Sequence, residues 1–143
     1  MEEKDYFEQE SQSLEIPENE INLTPQEIGE RGEKAAALFL ERKGYEILDT
    51  NWRCFAGEVD IVAADEDTLC FIEVKTRTSI QKGFPEESVD AVKRSKYEKI
   101  AACYLQEKNP SFEKVRFDVI SILVVSKTRA FLRMHINAFA GGL

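Results

Sequence analysis

The sequence predicts a single α/β domain: a mixed sheet flanked by helices, with element order α-β-β-β-α-β-β. Three observations predict it. Two segments, residues 24–43 and 86–108, carry apolar residues at helical spacing. Three short strand-like segments lie between them, two of them joined by the tight polar turn Asp65-Glu66-Asp67. A run rich in β-branched residues, KVRFDVISILVV, follows the second helix, so that helix acts as a crossover to a further strand.

The first helix opens at Thr24-Pro25-Gln26-Glu27, where Thr24 is a suitable N-cap, Pro25 suits the first helical position and Glu27 completes a capping box. Ile28, Ala35, Ala36, Leu38 and Phe39 form its apolar face, and Gly44 stops it. Tyr45-Glu46-Ile47-Leu48 alternates as a strand and continues less regularly through Asn51-Trp52-Arg53. Gly57 opens the second strand over residues 58–64, and residues 68–77 form the third, its hairpin partner. Residues 78–85 read as a loop broken by Gly83 and Pro85. Val89, Val92, Tyr97, Ile100, Ala101, Tyr104 and Leu105 mark the second helix, which Asn109-Pro110 ends. Residues 114–125 and 129–135 are the last two strands, and Phe139 to the C-terminus is expected to fray.

Hydrophobic residues make up 43% and charged residues 32% of the 143, a globular composition without an apolar run long enough to span a bilayer. The N-terminus is acidic and lacks the apolar stretch of a signal peptide, so a cytoplasmic protein with no membrane association is expected. The net charge of −8 is unevenly spread. Residues 1–22 hold eight acids and one base and are expected to be a disordered acidic leader. Residues 23–143, the expected folded domain, hold 19 acids and 18 bases. A nearly neutral domain excludes strong long-range attraction to nucleic acid but permits a local basic patch. Cys54, Cys70 and Cys103 form no CxxC pair, and His135 is the one histidine, so a zinc site is not expected and the thiols are expected to be free and buried.

The informative stretch is Gly57-Glu58-Val59-Asp60 followed, thirteen residues after Asp60, by Glu73-Val74-Lys75. Strand alternation puts Glu73 and Lys75 on one face, shared with Leu69 and Phe71. That face changes from apolar to charged along its length, as a strand does when its end leaves the core for a cleft. A turn near residue 66 folds Asp60 back beside residue 72 or 73. Two adjacent carboxylates repel and favour a hard divalent cation such as Mg²⁺ or Mn²⁺, and a neighbouring lysine can hold a water. Phosphodiester hydrolysis needs those parts. From spacing alone, a cross-strand salt bridge on a solvated face fits better.

The combined pattern resembles the PD-(D/E)xK motif of the restriction-endonuclease-like superfamily. More closely, it resembles the YraN-like family of small bacterial proteins, which is similar to archaeal Holliday-junction resolvases. The segments that carry the resemblance are Gly29-x-x-Gly32-Glu33-x-x-Ala36, Gly44-Tyr45, Asn51-Trp52-Arg53, Gly57-Glu58-x-Asp60, Phe71-Ile72-Glu73-Val74-Lys75-x-Arg77, Lys93 and Arg116-Phe117-Asp118-Val119. The resemblance implies a restriction-endonuclease-like sheet and a Mg²⁺- or Mn²⁺-dependent endonuclease acting on DNA, with branched or junction DNA a candidate substrate. It implies that Asp60, Glu73 and the Val74 carbonyl bind metal, that Glu33 reaches the metal through water, and that Lys75 positions or activates the nucleophile. Val59 stands where such motifs often have proline, a departure without chemical consequence.

Arg53, Arg77 and Lys93 are candidate phosphate contacts. Trp52 is a candidate for base stacking, against ordinary packing; Glu58 is expected to pair with a base, Arg116 with Asp118, and His135 to be structural. A homodimer would supply the two sites that symmetric cutting of a junction needs. The competing function is a nucleic-acid-binding or repair-accessory protein with the same fold and no catalysis. The intact set of three acids and one lysine favours the enzyme.

Overall fold

The computed structural model describes residues 3–10, 23–78 and 91–138, the first of these segments as backbone. Its elements are β1 (Glu3–Glu10), α1 (Pro25–Arg42), β2 (Glu46–Cys54), β3 (Gly57–Asp65), β4 (Thr68–Thr78), α2 (Ala91–Lys108), β5 (Lys114–Val124) and β6 (Arg129–Ile136). From residue 23 onward the order is α-β-β-β-α-β-β, as the sequence predicts. The open sheet runs β1-β6-β5-β4-β3-β2, with β4 and β5 parallel and every other neighbouring pair antiparallel.

Local chemistry sets the boundaries. The Thr24 side chain accepts the Glu27 N–H at 3.1 Å and caps α1. At the other end, Gly44 lies at φ 93°, and two bonds, Tyr45 N–H to the Leu40 carbonyl at 2.9 Å and Gly44 N–H to that of Glu41 at 3.0 Å, form a Schellman motif. Tyr45 then packs into the core cluster that holds Leu40. The hairpin between β3 and β4 turns at Glu66, φ 54°, and pairs Asp65 with Thr68 through Ile61 with Ile72.

Each helix covers one face of the sheet. Ala36, Phe39 and Leu40 of α1 pack on Ile61, Ala63, Cys70, Ile72, Ile120 and Ile122. Tyr97, Ile100, Ala101 and Tyr104 of α2 pack on Val62, Leu69, Phe71 and Val119 on the other side. Trp52 joins this second cluster with its ring edge-on to Tyr104 at 5.0 Å, so it serves packing rather than base stacking. All three cysteines are free, but only Cys70 is buried; Cys54 and Cys103 are partly exposed.

The expected disordered leader needs correction over part of its length. Glu3–Glu10 forms an edge strand, its backbone paired with β6 from Glu3 opposite Ile136 to Glu10 opposite Arg129. Main-chain bonding to an open edge asks little of side-chain pattern, so the acidic composition does not announce it. Residues 11–22, most of the expected 78–85 loop, the first turn of the expected second helix and the C-terminal tail from Phe139 lie outside the described residues.

At the end of the sheet where β4 begins, Arg116 forms a hub. Its guanidinium donates to both oxygens of Asp118 at 3.0 to 3.1 Å, to the Tyr45 hydroxyl at 2.7 Å, and pairs with Asp65 at 3.5 Å. Asp118 is fully buried and also accepts the Asn137 N–H at 2.9 Å. The Arg116–Asp118 pair is structural, as expected. His135 is buried in β6.

Candidate functional site

The acids gather where β3 peels away from β4. The β3–β4 pairing ends at Ile61 opposite Ile72, and its continuation sets Asp60 opposite Glu73. Asp60 reaches across this gap: its Oδ2 accepts the Val74 N–H at 2.8 Å. The side chain from β3 is therefore held against the backbone of β4, between Glu73 and Lys75. Register between β4 and β5 runs unbroken from Thr68 to Thr78, so alternation keeps Glu73, Lys75 and Arg77 on one face of β4.

Electrostatics tie the acids together. The Asp60 carboxyl is pushed from an ordinary 3.8 up to about 6, first by burial and then by the charges of Glu33, Glu73 and Glu58, while the Val74 N–H pulls the other way. Burial also raises the Tyr97 hydroxyl, with Glu73, Asp60 and Glu58 adding to the effect. Tyr97 on α2 thus faces the same acids, although its helical spacing in the sequence marks it only as core. Its position four residues after Lys93 is the signal that places it on that side of the helix.

Glu33 sits on α1 one residue after Gly32, whose position is fixed by contact. A Cβ at Gly32 would fall into the Thr76 side chain, with Thr76 Cβ at 2.9 Å. The bare helix surface there lets α1 approach β4 closely. Glu33 Oε1 accepts from the Asn51 side chain at 3.0 Å, and Asn51 adopts φ 50° on β2. Glu33 also lines a cleft of about 190 Å³ with Pro25, Ile28, Gly29, Val74, Thr76 and Thr78. Its hydrogen-bond partner is thus an asparagine eighteen residues away in the sequence.

Of the three candidate phosphate contacts, Lys93 and Arg53 each pair with an acid. Lys93 closes on Glu73 Oε1 as an ion pair, with the Glu73 side chain only 12% exposed. Arg53 is exposed and pairs with Glu58 at 3.0 Å, the base that Glu58 was expected to find. Arg77 is half-buried on β4. Sequence spacing could not anticipate the Lys93 contact, because it depends on how α2 is rotated over the sheet.

The donors near Asp60 fit a hard cation in type: two carboxylates and a main-chain carbonyl, all oxygen. The second Glu73 oxygen, Oε2, is buried without a hydrogen-bond partner among the described residues. Among those residues, no three His, Cys, Asp or Glu side chains stand together as a ready ligand set, so waters would have to complete any coordination. No helix among them is long and apolar enough to cross a membrane.

Fold and site together define a mixed α/β domain with a partly buried acidic cluster beside a lysine at the frayed junction of two central strands. The chain matches the family described as Uncharacterised protein family UPF0102 over residues 32–122 and belongs to it. It is 45% identical over 119 residues to a UPF0102 protein of Dictyoglomus thermophilum, covering 82% of this chain and all of that one. UPF0102 proteins of Chlorobaculum tepidum and Nocardia farcinica are 44% and 42% identical, over 78% and 79% of this chain and 86% and 88% of theirs.

Proposed function

We propose that this protein is a divalent-cation-dependent endonuclease of the restriction-endonuclease-like class that hydrolyses DNA phosphodiester bonds, with branched or junction DNA as the candidate substrate. The observation that carries the reading is the reach of Asp60 onto the Val74 N–H, which holds a carboxylate of β3 against β4 between Glu73 and Lys75. The elevated Asp60 carboxyl supports it: burial first, and then the charges of Glu33, Glu73 and Glu58, raise it, and a cation bound beside it would offset both.

Asp60, Glu73 and the Val74 carbonyl would hold Mg²⁺ or Mn²⁺. When bound, the ion supplies charge to offset the transition state and a more acidic water. Lys75 orients the attacking water and offsets the negative charge of the phosphate in the cleft. Glu33, held by Asn51, accepts a hydrogen bond from water on the α1 side. Lys93 neutralises Glu73 in the absence of ligand.

Linear, nicked, single-stranded and four-way-junction DNA, incubated with the protein and Mg²⁺ or Mn²⁺, test this reading. Cleavage that stops with chelator and in Asp60→Asn, Glu73→Gln and Lys75→Ala is the expected result; cleavage that persists in those variants points to a contaminant. Calorimetry with Mn²⁺ gives a second readout, a binding isotherm lost in Asp60→Ala. The Lys93–Glu73 ion pair favours one other reading, in which the fold binds nucleic acid without cutting it, because that pair already neutralises one of the acids a metal would use. DNA binding with no cleavage and no Mn²⁺ isotherm would select it.

A further inference from the structure

Next to the acidic cluster lies a second feature that the proposed chemistry does not use. A groove of about 590 Å³ is lined by Phe55, Ala56, Ala91, Val92, Ser95, Lys96 and Lys99. Phe55, at the tip between β2 and β3, is 90% exposed, and Val92 on α2 is 80% exposed. An aromatic ring left almost wholly in water beside apolar walls is costly unless something covers it. The rim is basic: residues 91–100 carry Lys93, Arg94, Lys96 and Lys99 against Glu98 alone.

Position links this groove to the acids. Lys93, Lys96 and Lys99 recur every three residues and form one ridge of α2, advancing about 4.5 Å per step. Lys93 meets Glu73. Lys96 lies over Gly57, where a Cβ would meet its Cε and stand 3.3 Å from its Nζ. Lys99 borders the groove. Gly57 in turn precedes Asp60 by three strand residues, about 10 Å. A basic track therefore leads from the acidic cluster to an exposed ring.

We propose that this groove takes an unpaired base of a nucleic-acid strand, stacked on Phe55, with Lys96 and Lys99 on the strand's phosphates. The occupant is a single strand and not a duplex, because a ring face can be used only by a base that has left its stack. Cationic rims match a phosphate backbone, and sequence-tolerant stacking matches an apolar groove that offers few base-reading groups. The inference rests on the nucleic-acid reading above and assigns it a substrate feature: an unpaired segment a few nucleotides from the bond to be cut.

Fluorescence anisotropy of the full chain in chelator tests it, with a labelled single-stranded oligonucleotide and the same sequence as a blunt duplex. The strand should bind more tightly than the duplex. Phe55→Ala should weaken strand binding by about tenfold and leave duplex binding unchanged, and Phe55→Trp should restore it. Lys96→Gln and Lys99→Gln should each lower the slope of log affinity against log salt by about 0.7. Phe55→Ala binding like the wild type, a preference for duplex, or no strand binding at all overturns the proposal. So does light scattering in which Phe55 is found to hold two copies of the chain together. Strand binding with these properties but without Mg²⁺-dependent cleavage would remove the nuclease reading and leave this one standing.

Discussion

Replacing Asp60 by asparagine should make the metal-free protein more stable at neutral pH. The Asp60 carboxyl titrates at about 6 in the fold, against an ordinary 3.8. The folded state therefore prefers the protonated acid and binds more protons than the unfolded chain between those values, so stability falls as pH rises through that window. The full difference corresponds to about 3 kcal/mol, and partial solvation of the half-buried side chain trims the expectation to about 1–3 kcal/mol. Asparagine is neutral at every pH, and its Oδ1 can still accept the Val74 N–H that Asp60 accepts at 2.8 Å. Urea unfolding in chelator from about pH 4 to pH 8 reads the effect. The two proteins should match at the acid end, and the variant should gain through the window to a plateau at about 1–3 kcal/mol. Adding Mn²⁺ should then close or reverse the gap, since saturation at about 100 times Kd stabilises the wild type by about 2.7 kcal/mol and leaves the variant unchanged. Parallel stability curves at all pH values would refute the claim that burial and clustered charge strain this carboxylate.

Other perturbations separate scaffold from site. Gly32→Ala should lower stability by about 1–3 kcal/mol despite alanine's better helix propensity, because the new Cβ collides with Thr76; thermal unfolding measures it. Asp118→Ala should cost about 3–5 kcal/mol in urea unfolding, since it leaves the Arg116 guanidinium without its buried partner. Thr24→Ala removes the cap of α1 and should cost about 1 kcal/mol by the same measurement, with Mn²⁺ binding intact.

The parts that were legible in the sequence are those governed by short-range periodicity. Strand alternation and a tight turn suffice to bring residue 60 to residue 73, and the cap residues Thr24 and Gly44 mark the ends of α1 within two residues. Contacts that depend on how layers rotate over one another were not legible. Lys93 landing on Glu73, Asn51 reaching Glu33, and Lys96 lying across Gly57 each join residues at least 18 apart through the setting of a helix or a bulged strand. Trp52 and Phe55 make the same point in reverse. The sequence offers two aromatic rings three residues apart and singles out the tryptophan, yet β2 turns that ring onto Tyr104 and leaves the phenylalanine in water. The pairing of Glu3–Glu10 escaped notice because main-chain bonds carry no residue code.

The Arg116 hub has a bearing on how the domain divides its labour. One guanidinium fastens Tyr45, where the first helix exits, to Asp118, which in turn clasps the backbone at Asn137 just past the last strand. The earliest helix and the final strand are thereby clipped to each other on the α1 side of the sheet, whereas strand alternation turns Glu73 to the other side. Cohesion is concentrated in that clip, and Glu73, one residue further along β4, carries its charge on the opposite face. Damage at the clip should therefore loosen the whole domain together, whereas exchanges among the acids should pass without unfolding it.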